Sequence, residues 1–194
     1  EIAQCLVGSE MCIRDSLLTI SPDMGAMERA RYYAEILSCD VGLFYKRRDL
    51  SKLIDGKNPV VEHVYLGKNP KDVTVFVIDD MIASGGSMLD VATELKKRGA
   101  KKVILVATFA LFTAGIEKFQ KAYEKGLFDR LYTTNLTYIP KEIKEKEWLH
   151  EVDCSEQLAR IILEHSQNGK IDEIQIQDEQ KLRDDIKVRQ GEEK

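Results

Sequence analysis

Val75-Phe-Val-Ile-Asp-Asp-Met-Ile-Ala-Ser-Gly-Gly-Ser-Met-Leu-Asp90 runs an apolar strand into two adjacent carboxylates and then into a loop of small residues. Val73 to Ile78 is short, β-branched and continuously apolar, as expected of a central strand in a parallel sheet covered on both faces. Asp79 and Asp80 are then expected at the strand's carboxyl end, where open α/β sheets place their ligands. Ser84, Gly85, Gly86 and Ser87 follow, and glycines lacking a Cβ let backbone N–H groups approach an anion closely. Met88, Val91, Ala92 and Leu95 repeat at helical spacing from a start near Ser87, and Gly99 supplies a stop. The loop therefore precedes a helix N-terminus, whose dipole and unsatisfied N–H groups favour phosphate. A plain strand-turn-helix in which Asp79 and Asp80 cap the turn is the competing reading.

Outward from this segment, apolar runs alternate with helical patterns. Leu17 to Ile20, Val41 to Tyr45, Val60 to Leu66, Lys101 to Thr108 and Leu131 to Thr134 read as strands. Gly25 to Leu37 and Thr113 to Lys125, the latter ended by Gly126, read as helices, as does Ser155 to His165 with Ser155 as N-cap. The alternation predicts an α/β domain with a doubly wound, mainly parallel sheet. Asp49 to Pro59 is a polar connector, either a lid that excludes water or an ordinary surface loop. Trp148 reads as a packing anchor. From Lys170 onward the chain is dense in charge and poor in large apolar residues, which predicts a charged tail over 170–194, either a solvated helix or disordered.

Composition narrows the function classes. The chain has 194 residues, with 29 Lys and Arg against 33 Asp and Glu, a formal charge of -4. That is enough chain for one domain with a substantial core. An acidic balance disfavours nucleic acid as a partner. No apolar run reaches membrane-spanning length. Cys5, Cys12, Cys39 and Cys154 show no metal-ligand spacing and read as thiols of a reducing, cytoplasmic setting.

Three ordered segments together resemble the ribose-phosphate diphosphokinases, the synthases of phosphoribosyl diphosphate. The quoted stretch resembles the family's phosphoribosyl-diphosphate motif. Ser21-Pro-Asp-Met-Gly-Ala-Met-Glu-Arg-Ala-Arg31 resembles its Ser-Pro-Asp-x-Gly segment with an Arg-bearing helix, and Phe44-Tyr-Lys-Arg-Arg48 its catalytic Lys-Arg-Arg loop. Leu131-Tyr-Thr-Thr-Asn135, with Pro140 nearby, extends the likeness. The resemblance implies a type I phosphoribosyltransferase-like fold over 17–169, corresponding to the C-terminal half of the family. It also implies site residues. Asp79 and Asp80 would hold the ribose hydroxyls, and Ala83, Ser84, Gly85, Gly86 and Ser87 would cradle the 5-phosphate. Lys46 would be catalytic, Arg48 would be catalytic and would touch ribose 5-phosphate, and Asp23 would help bind magnesium. The implied reaction moves a diphosphoryl group from ATP to ribose 5-phosphate, giving phosphoribosyl diphosphate and AMP, in a family of homo-oligomers. Taken singly, Lys46 to Arg48 could be a solvated basic turn and Asp23 a helix N-cap.

The chain departs from the family at Ala83 and in length. The family's chain is about twice as long, and its N-terminal half carries the adenine-binding residues and a metal-binding His. Without that half this chain is expected to be inactive alone. Ala83 stands where most members carry a third acid. No histidine precedes Asp23 to serve as the family's metal-binding His, since His63, His150 and His165 all follow it. Cys5-Leu-Val-Gly-Ser-Glu-Met-Cys-Ile-Arg-Asp-Ser16 resembles a translated sequencing adapter, so residues 1–16 are expected to be a non-native start. Two other readings follow: a phosphoribosyltransferase that uses phosphoribosyl diphosphate, or a non-catalytic regulatory subunit associated with the synthase.

Overall fold

The computed structural model describes residues 17–48, 60–167 and 171–190, of which 46–48, 60–63, 171, 172, 175 and 187–190 by backbone alone. Residues 1–16 and the connector Asp49 to Pro59 lie outside the described residues. The strands are β1 (Leu17–Ser21), β2 (Asp40–Arg48), β3 (Val60–Leu66), β4 (Thr74–Ile82), β5 (Lys102–Ala110), β6 (Arg130–Thr134) and β7 (Leu149–Val152). The helices are α1 (Met27–Leu37), α2 (Gly86–Lys97), α3 (Glu117–Glu124), α4 (Lys141–Lys144), α5 (Ser155–Ser166) and α6 (Ile171–Gln190).

The strands form a 7-stranded sheet in the order β3-β2-β1-β4-β5-β6-β7. β3 lies antiparallel to β2, and every other neighbouring pair is parallel. The expected doubly wound α/β sheet is thus borne out. From β1 the chain moves outward through β2 to β3, then returns to place β4 on the other side of β1. Strand order reverses between β1 and β4, which opens a crevice at their carboxyl ends.

Apolar residues on alternate positions send the two faces of each central strand into separate cores. Val75 and Val77 of β4 join Leu18, Ile20, Val103 and Leu105 under α2. Phe76 and Ile78 face the other way, with Leu17, Ile104 and Val106, against Ala30, Ile36 and Leu37 of α1. The helical repeat read after the glycine loop packs as expected, since Met88, Val91, Ala92 and Leu95 are all buried. α2 ends in a Schellman turn: Ala100 N–H bonds Leu95 O at 3.1 Å and Gly99 N–H bonds Lys96 O at 3.0 Å. Gly99 takes φ +87°, a backbone that costs glycine little.

Several boundaries differ from the sequence reading. β4 continues through Ile82, because its pairing with β5 persists to Ile82 and Ala110 after the pairing with β1 ends at Val77 and Ile20. α1 begins at Met27 rather than Gly25, and α3 at Glu117 rather than Thr113. β7 is an added edge strand. Ser155 is the first residue of α5 rather than its cap, its N–H taken by Asp153 Oδ1 at 2.9 Å. α6 is helical, and part of it is covered: Ile174 and Ile186 are buried, and Tyr32 of α1 donates to Glu179 at 2.7 Å. Cys39 and Cys154 carry no disulfide. Among the described residues no helix is long and apolar enough to cross a membrane.

Candidate functional site

The crevice between β1 and β4 is built from three short segments. The first is the turn after β1. Asp23 Oδ1 accepts the N–H groups of Gly25 at 2.8 Å and Ala26 at 3.1 Å, which folds the chain into α1. Ser21 Oγ donates to Asp23 O at 2.6 Å and ties this turn to the end of β1. Asp23 is therefore not the N-cap of α1, which is Ala26 without a side-chain cap; its carboxylate closes a turn just ahead of the helix.

The second segment is the acid pair. Asp79 and Asp80 belong to the carboxyl-terminal part of β4, as expected, and they stand beyond the last β1 partner of that strand. Successive strand side chains point to opposite faces. Asp79 follows the parity of Val75 and Val77, and Asp80 that of Phe76 and Ile78. Asp79 Oδ1 accepts the N–H of Asp80 at 2.9 Å, while Asp80 Oδ2 meets Arg29 Nη2 of α1 at 3.5 Å. Burial, together with the negative charges of Asp80 and Asp23, pushes Asp79 up to about 6. Asp79 thus lies within electrostatic reach of both Asp80 and Asp23 where two strands part.

The third segment is the small-residue loop. Ala83 and Ser84 are exposed, and the C=O of Ala83 accepts the N–H of Thr113 at 2.9 Å. Gly85 is the N-cap of α2 at φ +76°, and α2 has no side-chain cap. The N–H groups of its first turn, at Gly86 and Ser87, are therefore left for an external acceptor. A Cβ on Gly85 would clash with the Phe119 ring, whereas one on Gly86 would find its nearest neighbour, Ser84 Oγ, at 4.0 Å. The two glycines serve different ends. Gly85 permits close packing, and Gly86 keeps open the space in front of the helix.

Phe119 belongs to an aromatic cluster beneath the loop. It stacks on Trp148 with centroids 5.9 Å apart and meets Phe112 edge-on at 5.3 Å. Trp148 is 1% exposed and donates from Nε1 to Gln120 Oε1 at 3.0 Å, so it is a packing anchor, as expected. Sequence reading missed this support, because Phe119 and Trp148 lie far along the chain from the loop they carry.

Lys46 and Arg48 lie near the end of β2, paired by backbone with His63 and Val60 of β3 across a register shift between Arg47 and Arg48. β2 leaves its last β1 partner at Leu43, so it extends past the crevice on the carboxyl side. Their side chains lie outside the described residues, as do the roles expected of them. Arg29, which sequence reading noted only as part of an Arg-bearing helix, is the cation brought to the acid pair among the described side chains.

Residues 14–140 match the phosphoribosyl transferase domain family, and the chain belongs to that family. The chain is similar to the ribose-phosphate pyrophosphokinase of Mycoplasma pneumoniae, 30% identical over 167 residues, which cover 85% of this chain and 48% of that protein. It is also similar to the ribose-phosphate pyrophosphokinase of Thermococcus kodakarensis, 40% identical over 124 residues, covering 63% and 40% respectively. The chain spans about half the length of the curated relatives it matches. Among solved structures, the phosphoribosylpyrophosphate synthetase of Mycobacterium smegmatis shares the fold, with a TM-score of 0.63 and 24% identity over 79% of this chain and 46% of that one. The resemblance read from the three motifs is borne out by these relatives.

Proposed function

We propose that this chain is the sugar-phosphate-binding half of a ribose-phosphate diphosphokinase, which transfers diphosphate from ATP to ribose 5-phosphate. The observation that carries this reading is the convergence of the acid pair, the uncapped glycine loop and the Asp23 turn on the β1/β4 crevice. Asp79 and Asp80 take the ribose hydroxyls, because carboxylates accept hydrogen bonds from a diol. Ser84 to Ser87 take the 5-phosphate through loop and helix N–H groups. Ala83 offers no carboxylate at the loop's entrance.

Magnesium fits this donor set. The crevice collects carboxylate oxygens, hard ligands of the kind that Mg²⁺ prefers. No cluster of three or more ligating side chains exists among the described residues, so a magnesium ion here would depend on one or two carboxylates together with substrate phosphates. Asp23 would hold it, and its chemistry would be neutralisation of charge on the transferring phosphoryl oxygens. Lys46 and Arg48 add cationic donors at the same group, where charge grows as the bond to AMP loosens.

Calorimetry on the 194-residue chain tests the binding half of this reading. Ribose 5-phosphate should bind more tightly than ribose or inorganic phosphate, with no product formed when ATP is added. Rapid AMP release by the chain alone would show that it is catalytically complete. Equal affinity for ribose 5-phosphate and inorganic phosphate would remove the sugar from the reading. Joining Leu17 to Lys194 to the N-terminal half of a close relative tests the catalytic half. There, Lys46→Ala should lower kcat and kcat/KM together by about 10², the scale of a lost transition-state donor. A rise in KM with kcat intact would leave Lys46 as a binding residue.

A further inference from the structure

Two arginines two positions apart on α1 face opposite ways. Arg31 turns to solvent and pairs with Glu35 one turn on, at 3.5 Å. Ala30 between them is fully buried in the core. Arg29 reaches across to β4, where its Nη2 lies 3.5 Å from Asp80 Oδ2.

Helix stability does not account for the position of Arg29. It is the third residue of α1. A cation in the first helical turn opposes the macrodipole, which favours acids there. Its side chain is 34% exposed and its guanidinium lies 3.5 Å from one carboxylate. Among the described residues, this is the ion pair made by the carboxylates of the crevice, and it falls on Asp80, whose side chain is 55% exposed.

We infer that Arg29 is a positioning residue for Asp80. By engaging Oδ2 it restricts the carboxylate's rotation, so that Asp80 meets the hydroxyls of the sugar phosphate in one preset orientation. The contact is a single Nη2–Oδ2 approach at 3.5 Å, so the hold is that of a charge whose direction is set by the helix that carries it. The inference rests on the proposed sugar-phosphate reading of the crevice and adds a residue to it that touches no ligand.

The test measures dissociation constants for ribose 5-phosphate and for inorganic phosphate on the 194-residue chain and its variants. Arg29→Met keeps an unbranched stem and removes the donor. It should weaken ribose 5-phosphate about tenfold, equivalent to about 1.4 kcal/mol, and leave inorganic phosphate, which uses the glycine loop alone, within about twofold. Arg29→Lys should recover part of the loss. In an Asp80→Asn background, Arg29→Met should add little, because the residue through which it acts has already been changed. Arg31→Met should bind as the parent does. An unchanged affinity in Arg29→Met, an equal loss for both ligands, or a full tenfold loss in the Asp80→Asn background would each overturn the inference. These results leave the sugar-phosphate reading standing, whereas a parent chain with no preference for ribose 5-phosphate over phosphate sinks both.

Discussion

The two halves of the crevice are held by different physics. The glycine loop rests on a dry aromatic cluster, with Gly85 pressed against Phe119 and Phe119 stacked on Trp148. The acid pair rests on polar contacts in a partly wet setting: a backbone N–H to Asp79 and one guanidinium to Asp80, whose side chain is 55% exposed. Packing sets the shape of the first region, and electrostatics sets the second. Damage to the loop should therefore cost stability and binding together, whereas changes at the acid pair should separate the two.

The largest effect is expected beneath the loop. Phe119→Ala removes a fully buried ring and should cost about 3–5 kcal/mol, lowering Tm by roughly 10 °C, as read by calorimetry. A drop of a degree or two would mean that the cluster does not carry the loop. Gly85→Ala comes next, because it adds both a clash with that ring and a side chain at φ +76°. About 2–4 kcal/mol is expected from overpacking and left-handed backbone strain. The pair of changes should be non-additive, since an alanine at 119 makes room for the new methyl group.

At the acid pair the sign should reverse. Asp79 is pushed up to about 6 in the folded chain, from 3.8 as an ordinary carboxyl. The folded state then holds its proton more tightly than the unfolded state. Stability from this group should fall as pH rises from about 4 through about 6 and level off above. Asp79→Asn should flatten that limb and raise Tm at pH 7 while weakening ribose 5-phosphate binding. A variant less stable than its parent at pH 7 would mean that the ionised carboxylate is already well compensated. The smallest effect on stability belongs to Gly86→Ala, whose methyl group has open space before it. Tm should hold within about 2 °C, less than about 1 kcal/mol, while phosphate binding falls, because the methyl group occupies the approach to the helix N–H groups. Unaltered phosphate affinity would move the anion site away from this turn.

The same division explains what could be read from the sequence. Continuous apolar runs announced the central strands, and the α2 repeat announced its buried face, because burial on a regular element leaves a period. Strand β4 runs further than its apolar stretch announced, through Asp79 and Asp80 to Ile82, because two carboxylates interrupt the hydrophobic signal. Asp79 still pairs with Ala107 of β5, and the pairing resumes at Met81 with Phe109, so the strand continues past the acids. β7 escaped because Leu149-His-Glu-Val152 is short and mostly polar. The docking of α6 escaped because its buried residues, Ile174 and Ile186, are sparse in a charged helix. In the site, the acids and glycines were legible as a local motif. The contact from Arg29 was not, since it depends on the phase of one helix against a strand about fifty positions later.

Trp148 is the single tryptophan of the chain. It lies fully enclosed against the ring that supports Gly85, so the molecule carries its own optical gauge of the loop. Its emission should be blue-shifted in the folded state. An anion that settles on the loop and shifts Phe119 should change the intensity without any attached dye, and the same anion should have no effect once Phe119 is replaced by alanine.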